Sequence, residues 1–270
     1  MESLFTRHVD DANRKDDLNR KAFESARAVR FYDFSTPRLF EGEATILESL
    51  RPALKEKRLL DIGIGGGRTT PFLLEISTDY TGIDYSARLV ARARDKFKID
   101  SIFQCDVRDM RRFADETFDF AFFSFNGLDY VSHEGRIKAL AEIHRILKSG
   151  GIYMFSAHNR SYRYLREEPW GRGVAFGTLS FFKECVWQVL LIPRHYWMRR
   201  FEVNKRNYAV LNDSARRHSL LTYYITAPAQ VAQLRSTGFT AIDVYDARGN
   251  PIEDDDSSPW IYYVARKGPA

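Results

Sequence analysis

Glycines at 63, 65 and 67, set just after Asp61, carry the most specific chemistry in this 270-residue chain. The apolar pair Leu59-Leu60 leads into Asp61-Ile62-Gly63-Ile64-Gly65-Gly66-Gly67, and Thr70-Pro71 then opens a helix. Glycines at this spacing let the backbone turn sharply and approach a ligand that any Cβ would obstruct. A glycine turn between a strand and a helix N-terminus makes a site for a nucleotide-bearing cofactor at the strand's carboxyl end. Asp84 follows 21 residues after Gly63, at the end of Tyr80-Thr81-Gly82-Ile83. An acid there accepts hydrogen bonds from both ribose hydroxyls. Tyr85 comes next, placed to lie against an adenine face, and Ser86 caps the helix beyond it.

These residues need a sheet to hold them. Strands are expected at Leu59–Ile62, Tyr80–Ile83, Ser101–Cys105, Phe118–Phe125 and Ile152–Ser156. The fourth is almost continuously apolar, as a central parallel strand covered on both faces must be. Helices are expected weakly over Leu18–Val29 and then from about Gly42 to Leu50, closed by Pro52. Another runs from Arg136 to Lys148, its apolar residues at i, i+3, i+4 spacing and Gly150-Gly151 as its left-handed cap. A helix from Pro228 to Arg235 and strands Thr240–Tyr245 and Pro259–Ala265 complete an α/β fold. Residues 160–222 are too long for a simple connection and are rich in aromatic and basic residues, so they read as an inserted cap over the substrate site.

A dinucleotide fingerprint, G-x-G-x-x-G, would need its third glycine at position 68, where Arg68 stands. The pattern here is D-x-G-x-G-x-G, from Asp61 to Gly67. It resembles motif I of the class I S-adenosylmethionine-dependent methyltransferases, closely over about 57–159 and more loosely over 226–266. The resemblance implies a Rossmann-like seven-stranded mixed sheet of order 3-2-1-4-5-7-6 flanked by helices. It implies an N-terminal helical lid over 1–56, a core of 57–159 and 223–270, and S-adenosylmethionine as cofactor. It gives Asp61, Gly63, Gly65, Gly67, Asp84 and Tyr85 to cofactor binding. Asp106, in competition with Asp109, would accept from the adenine amine, and the Val107 N–H would serve the ring nitrogen. The backbone around Ser124 and Phe125 would meet the amino-acid end, and Tyr32 or Arg30 would reach its carboxylate.

Methyl transfer to a hydroxyl also requires a proton acceptor. Three residues fall at the carboxyl ends of strands four and five or begin the next helix: Asp129, His133 and His158. His158 is the preferred base, with Asp129 to orient it or bind substrate. The three do not form a recognised metal-ligand spacing, and no metal is expected. The leading expectation is therefore base-assisted methyl transfer to a small-molecule or glycan hydroxyl. Methylation of a small amine remains open, as does a cofactor-binding protein without turnover. A nucleic-acid methyltransferase is favoured by the basic cap. It is disfavoured by Asn126-Gly127-Leu128, which stands where an Asn/Asp-Pro-Pro-aromatic motif would lie.

Apolar residues make up 44% of the chain, enough for a packed core. The two cysteines, Cys105 and Cys185, have no metal-type spacing and suggest a cytoplasmic, reducing setting. The net charge of +5 is uneven: residues 160–218 hold twelve Lys/Arg against five Asp/Glu. Within them, 179–200 mixes apolar, aromatic and basic residues, which suggests peripheral membrane contact. The oligomeric state is not readable from the sequence.

Overall fold

The computed structural model describes residues 14–33, 36–163, 179–213, 218–253 and 257–269. Helical residues 14–24 (α1) and Ala26–Tyr32 (α2) lead into α3, Glu41–Leu54. The core then alternates strand and helix. It comprises β1 Leu59–Ile62, α4 Thr70–Leu74, β2 Tyr80–Asp84, α5 Ala87–Phe97, β3 Ile102–Gln104, β4 Phe118–Phe123, α6 His133–Ile146 and β5 Leu147–Asn159. After it come α7 Leu179–Arg199, β6 Val203–Asn204, β7 Tyr208–Leu211, β8 Thr222–Ile225, α8 Ala227–Thr237, β9 Phe239–Tyr245 and β10 Trp260–Lys267.

β1 is flanked in parallel by β2 and β4, and β5 lies beyond β4. With β10 antiparallel to β5 and β9 to β10, the expected order 3-2-1-4-5-7-6 is present as β3-β2-β1-β4-β5-β10-β9. Leu60, Ala121, Tyr153 and Phe155 are completely buried against the Ala139, Leu140 and Ile143 face of α6. Leu59, Phe120, Phe122 and Met154 pack on the other face with α3 and α5. The sheet is thus apolar on both sides, which explains the unbroken apolar run of β4.

Three further strands extend the seven. β6, β7 and β8 form an antiparallel set whose last member pairs in parallel with His158 and Asn159 of β5. His158 also pairs with Trp260 of β10, so β8 and β10 hold opposite edges of β5 at this residue. The expected cap is therefore not a unit apart. Its second half joins the sheet, and the expected boundary between 222 and 223 falls inside β8. Of the aromatic residues expected in the cap, Tyr164, Trp170 and Phe176 lie outside the described residues, as do the side chains of Phe181, Phe182 and Trp187.

Two helix ends also differ from expectation. Pro52 does not close α3, which runs to Leu54. A proline in the last turn removes one donor and shortens the helix no further. Gly150-Gly151 does not cap α6, which ends at Ile146. Instead the pair sits in a bulge of β5, between the register pairs Phe118–Leu147 and Phe120–Ile152, with Gly150 at φ +75°.

Candidate active site

The strand order reverses direction between β1 and β4, and a crevice opens there at their carboxyl ends. It is bounded by the loops after β1, β2, β3 and β4 and by α1. Gly63 and Gly65 form one wall. Gly63 has φ +66°, and a Cβ there would come within 2.7 Å of the Phe123 ring. The loop is fixed by bonds from the Gly63 and Ile64 N–H groups to Ile83 O and from Gly66 N–H to Tyr32 O.

Asp84 stands opposite. Its Oδ2 accepts the Gly65 N–H at 2.9 Å and its Oδ1 accepts the Ser86 N–H at 2.8 Å. One carboxylate therefore ties the glycine loop to the start of α5 and keeps lone pairs for a ligand. Burial raises the Asp84 carboxyl to about 6, against the lowering effect of these two bonds. Tyr85 lines the crevice beside Phe23, and its hydroxyl is buried with no hydrogen-bond partner.

Asp106 and Val107 also line the crevice, whereas Asp109 is turned outward onto Arg111. Asp106 is already engaged: Arg108 donates to it through its backbone N–H, Nε and Nη2. Burial opposes its ionisation, but the Arg108 bonds prevail and hold its carboxyl below the ordinary value. Ser124 and Phe125 complete the wall after β4. Phe125 and Asn126 both have φ +54°, two successive side chains held in the left-handed region. Such strain collects where a site fixes its backbone.

Asp61 and Gly67 do not face the crevice. Asp61 is completely buried behind the loop, where its Oδ2 accepts from Thr69 Oγ1 at 2.8 Å and Tyr80 OH at 3.1 Å. Its Oδ1 has no partner, and burial raises its carboxyl to about 7. Gly67 closes the loop under the Phe97 ring of α5. Arg68, which broke the dinucleotide pattern, forms a buried bidentate pair with Glu43 of α3 at 2.6 and 2.8 Å. It clamps the leading helices to the loop, and Phe40 stacks on its guanidinium.

The three candidate bases separate. Asp129 lies on a 3₁₀ turn, Gly127–Tyr130, and is fully buried. Its Oδ2 accepts the His158 backbone N–H at 2.6 Å and faces His158 Nδ1 at 2.8 Å. Its Oδ1 pairs with Arg136 Nη1 at 2.6 Å. Nδ1 is then the protonated nitrogen, and Nε2, 3.3 Å from Asn126 Nδ2, carries the lone pair. His133 does not join them. It stacks on Tyr208, meets Tyr223 OH at 2.8 Å and lines a separate groove with Lys205 and Arg206. Placing it at the first turn of α6 turns its side chain to the outer flank.

Sequence reasoning missed two parts of the site. Arg136 occupies a core-facing position of α6, three residues before Ala139 and seven before Ile143, and that anomaly was its readable signal. The other part lies within the expected N-terminal lid, where the α1 side chains Asp16, Asn19, Arg20 and Phe23, none of them singled out from the sequence, line the crevice. Asp16 accepts the Ser132 N–H and pairs with Arg108, while Asn19 donates to Tyr130 O and Leu221 O. Aromatic rings also touch in a chain from Phe23 through Tyr32, Phe125 and Phe40 to Trp260, the strand partner of His158, and Tyr130 touches both Phe23 and His158.

Residues 60–155 match the family described as the methyltransferase domain. The chain is 27% identical over 144 residues to the malonyl-[acyl-carrier protein] O-methyltransferase of Pectobacterium atrosepticum, covering 52% of this chain and 54% of that protein. It is 32% identical over 107 residues to a phosphatidylethanolamine N-methyltransferase of Cereibacter sphaeroides, covering 37% and 50%. The chain thus spans about half the length of these relatives. An S-adenosylmethionine-dependent methyltransferase of Clostridium acetobutylicum shares the fold at a TM-score of 0.57 and 13% identity, over 85% of this chain and 92% of that one. Residues 60–155 thus match a methyltransferase domain, on a fold shared with S-adenosylmethionine-dependent methyltransferases. The crevice suits that cofactor: a cradle at Gly63 that a Cβ would fill, an acid at the end of β2, and an orphaned hydroxyl on Tyr85.

Proposed function

We propose that this protein transfers the methyl group of S-adenosylmethionine to a hydroxyl of a small molecule or glycan, with His158 as the base. The observation that carries this reading is the double contact of Asp129 Oδ2 with the backbone and ring of His158. When bound, the cofactor supplies an already activated methyl on a sulfonium. The chain has then to align an acceptor, exclude water and take a proton.

Asp84 and Tyr85 hold the nucleoside end, with Asp106 and Val107 at the base. The strained turn at Phe125 and Asn126 sets the backbone facing the amino-acid end. Asp129 locks the imidazole in one tautomer, so that Nε2 is the proton acceptor. Its contact with Asn126 Nδ2, at 3.3 Å, is long enough for an acceptor hydroxyl to displace. The Tyr130 and Tyr224 rings beside His158 support a sugar or flat-ring acceptor, since both pack on aromatic rings. α1 and α2 close the crevice against water.

The test is calorimetric titration with S-adenosylhomocysteine, with NAD and NADP in parallel, followed by methyl-transfer assays on sugars, phenols and amines. Binding of the first alone, with turnover on hydroxyl acceptors that His158→Ala lowers at least a hundredfold, is the expected result. Turnover confined to amines and indifferent to His158→Ala would replace the reading with N-methylation.

A further inference from the structure

α7 turns one face to the core and a second, largely apolar face to solvent. Its inner side is fixed: Met198 is buried, and His195 Nδ1 bonds Asn212 Oδ1 at 2.8 Å while its ring lies 4.4 Å from that of His218. On the other side Val186, Val189, Leu190, Tyr196 and Trp197 are between 41% and 68% exposed. At 3.6 residues per turn these five fall within an arc of about 120°. They form one continuous stripe, with Pro193 inside it.

The charge around this stripe has one sign. Arg194 lies along one margin and Arg199 along the other, and Arg200 stacks on Trp197 at 4.3 Å. From Val186 to Phe201 the sequence holds no Asp or Glu. Glu202 shares the charge of Arg199 at 3.7 Å, and Arg194 and Arg200 remain exposed.

We infer that α7 is an interfacial helix that seats this protein on an anionic lipid surface. An apolar stripe edged by arginines buries its side chains among acyl chains while the guanidinium groups reach the phosphates. Charge complementarity selects this occupant. A second copy packed face to face would crowd the Arg194 and Arg200 side chains of both chains along one seam, where like charges repel. No helix among the described residues is long and apolar enough to cross a membrane, so α7 lies on the surface. The inference is independent of the methyl acceptor.

The full chain is sedimented with vesicles of phosphatidylcholine alone, or of phosphatidylcholine and phosphatidylglycerol in equal parts. Wild type binds the mixed vesicles, and added salt weakens the binding. Val189→Glu with Leu190→Glu lowers partitioning at least tenfold, and so does Arg194→Glu with Arg200→Glu. Both variants keep wild-type affinity for S-adenosylhomocysteine, which certifies their folding. The inference is overturned if wild type stays in solution with mixed vesicles, or if both variants bind as wild type does. It is equally overturned if equilibrium sedimentation without lipid shows a dimer that Val189→Glu dissociates.

Discussion

Arg136 and Asp129 are both completely buried and lie 2.6 Å apart, one from α6 and one from the turn after β4. Arg136 also donates to Gln230 of α8 and stacks on Tyr223 at 4.8 Å. It thus welds three elements behind His158. Removing one partner of a buried pair leaves a lone charge in the core and typically costs about 3–5 kcal/mol. Arg136→Met should therefore lower thermal stability by that order and loosen His158. Arg136→Met with Asp129→Leu should recover much of the stability but none of the turnover. Calorimetric melting of the two variants checks this, and equal losses in both would refute it.

His158→Ala should reduce turnover on a hydroxyl acceptor about 10²–10⁴-fold, the usual contribution of a positioned base. Affinity for S-adenosylhomocysteine should not change, because His158 does not line the cofactor crevice. Asp129→Asn should lose a comparable factor by freeing the imidazole to rotate. Single-turnover assays beside calorimetric titration separate the two effects.

Stability should vary with pH in two opposite windows. Asp61 titrates near 7 in the folded chain against about 3.9 when unfolded. The folded state thus holds its proton more tightly, and this stabilisation is full below about pH 4 and lost as pH rises towards 7. It amounts to about 4 kcal/mol at most. Lys15, buried on Val131 O, is lowered to about 7 by burial. Its ammonium penalises folding below pH 7, and the penalty fades as pH rises towards about 10.4. Melting curves across pH should lose the acid-side slope in Asp61→Asn and the alkaline-side rise in Lys15→Met. Curves parallel to wild type would show that these groups do not titrate so.

Gly63→Ala should impair the crevice directly. The new Cβ meets Phe123 at 2.7 Å on a backbone already at φ +66°. Strain of this type costs about 1–3 kcal/mol. The affinity for S-adenosylhomocysteine should fall at least tenfold, and an affinity within twofold of wild type would contradict the cradle.

The β1–β5 framework and its glycine loop were readable because their signals are local: apolar runs, a glycine turn, an acid at each strand end. Asp84 and Tyr85 were placed that way and Asp106 and Val107 by the family resemblance, and all four line the crevice. The functions of Asp61 and Arg68 were not readable, since which side of a loop a residue faces depends on α3, packed against it from earlier in the chain. β6 has two residues and β7 four, too few for a period-two pattern, and their partners lie elsewhere in the fold. His133 was misplaced because α6 begins at that residue and its rotation about the helix axis is set by packing. Gln230 lies 94 residues from the arginine it meets. No spacing reports a contact made only when α8 docks on α6.

β8 supplies one edge of His158, and it grows out of the segment inserted after β5. A change to that segment consequently reaches the alignment of the proposed base. A chimera that grafts a relative's insertion between 160 and 222 would split β8 and leave one side of the histidine without its strand. Exchanging the segment intact therefore calls for a junction beyond Ile225, carrying β6, β7 and β8 as a single cassette.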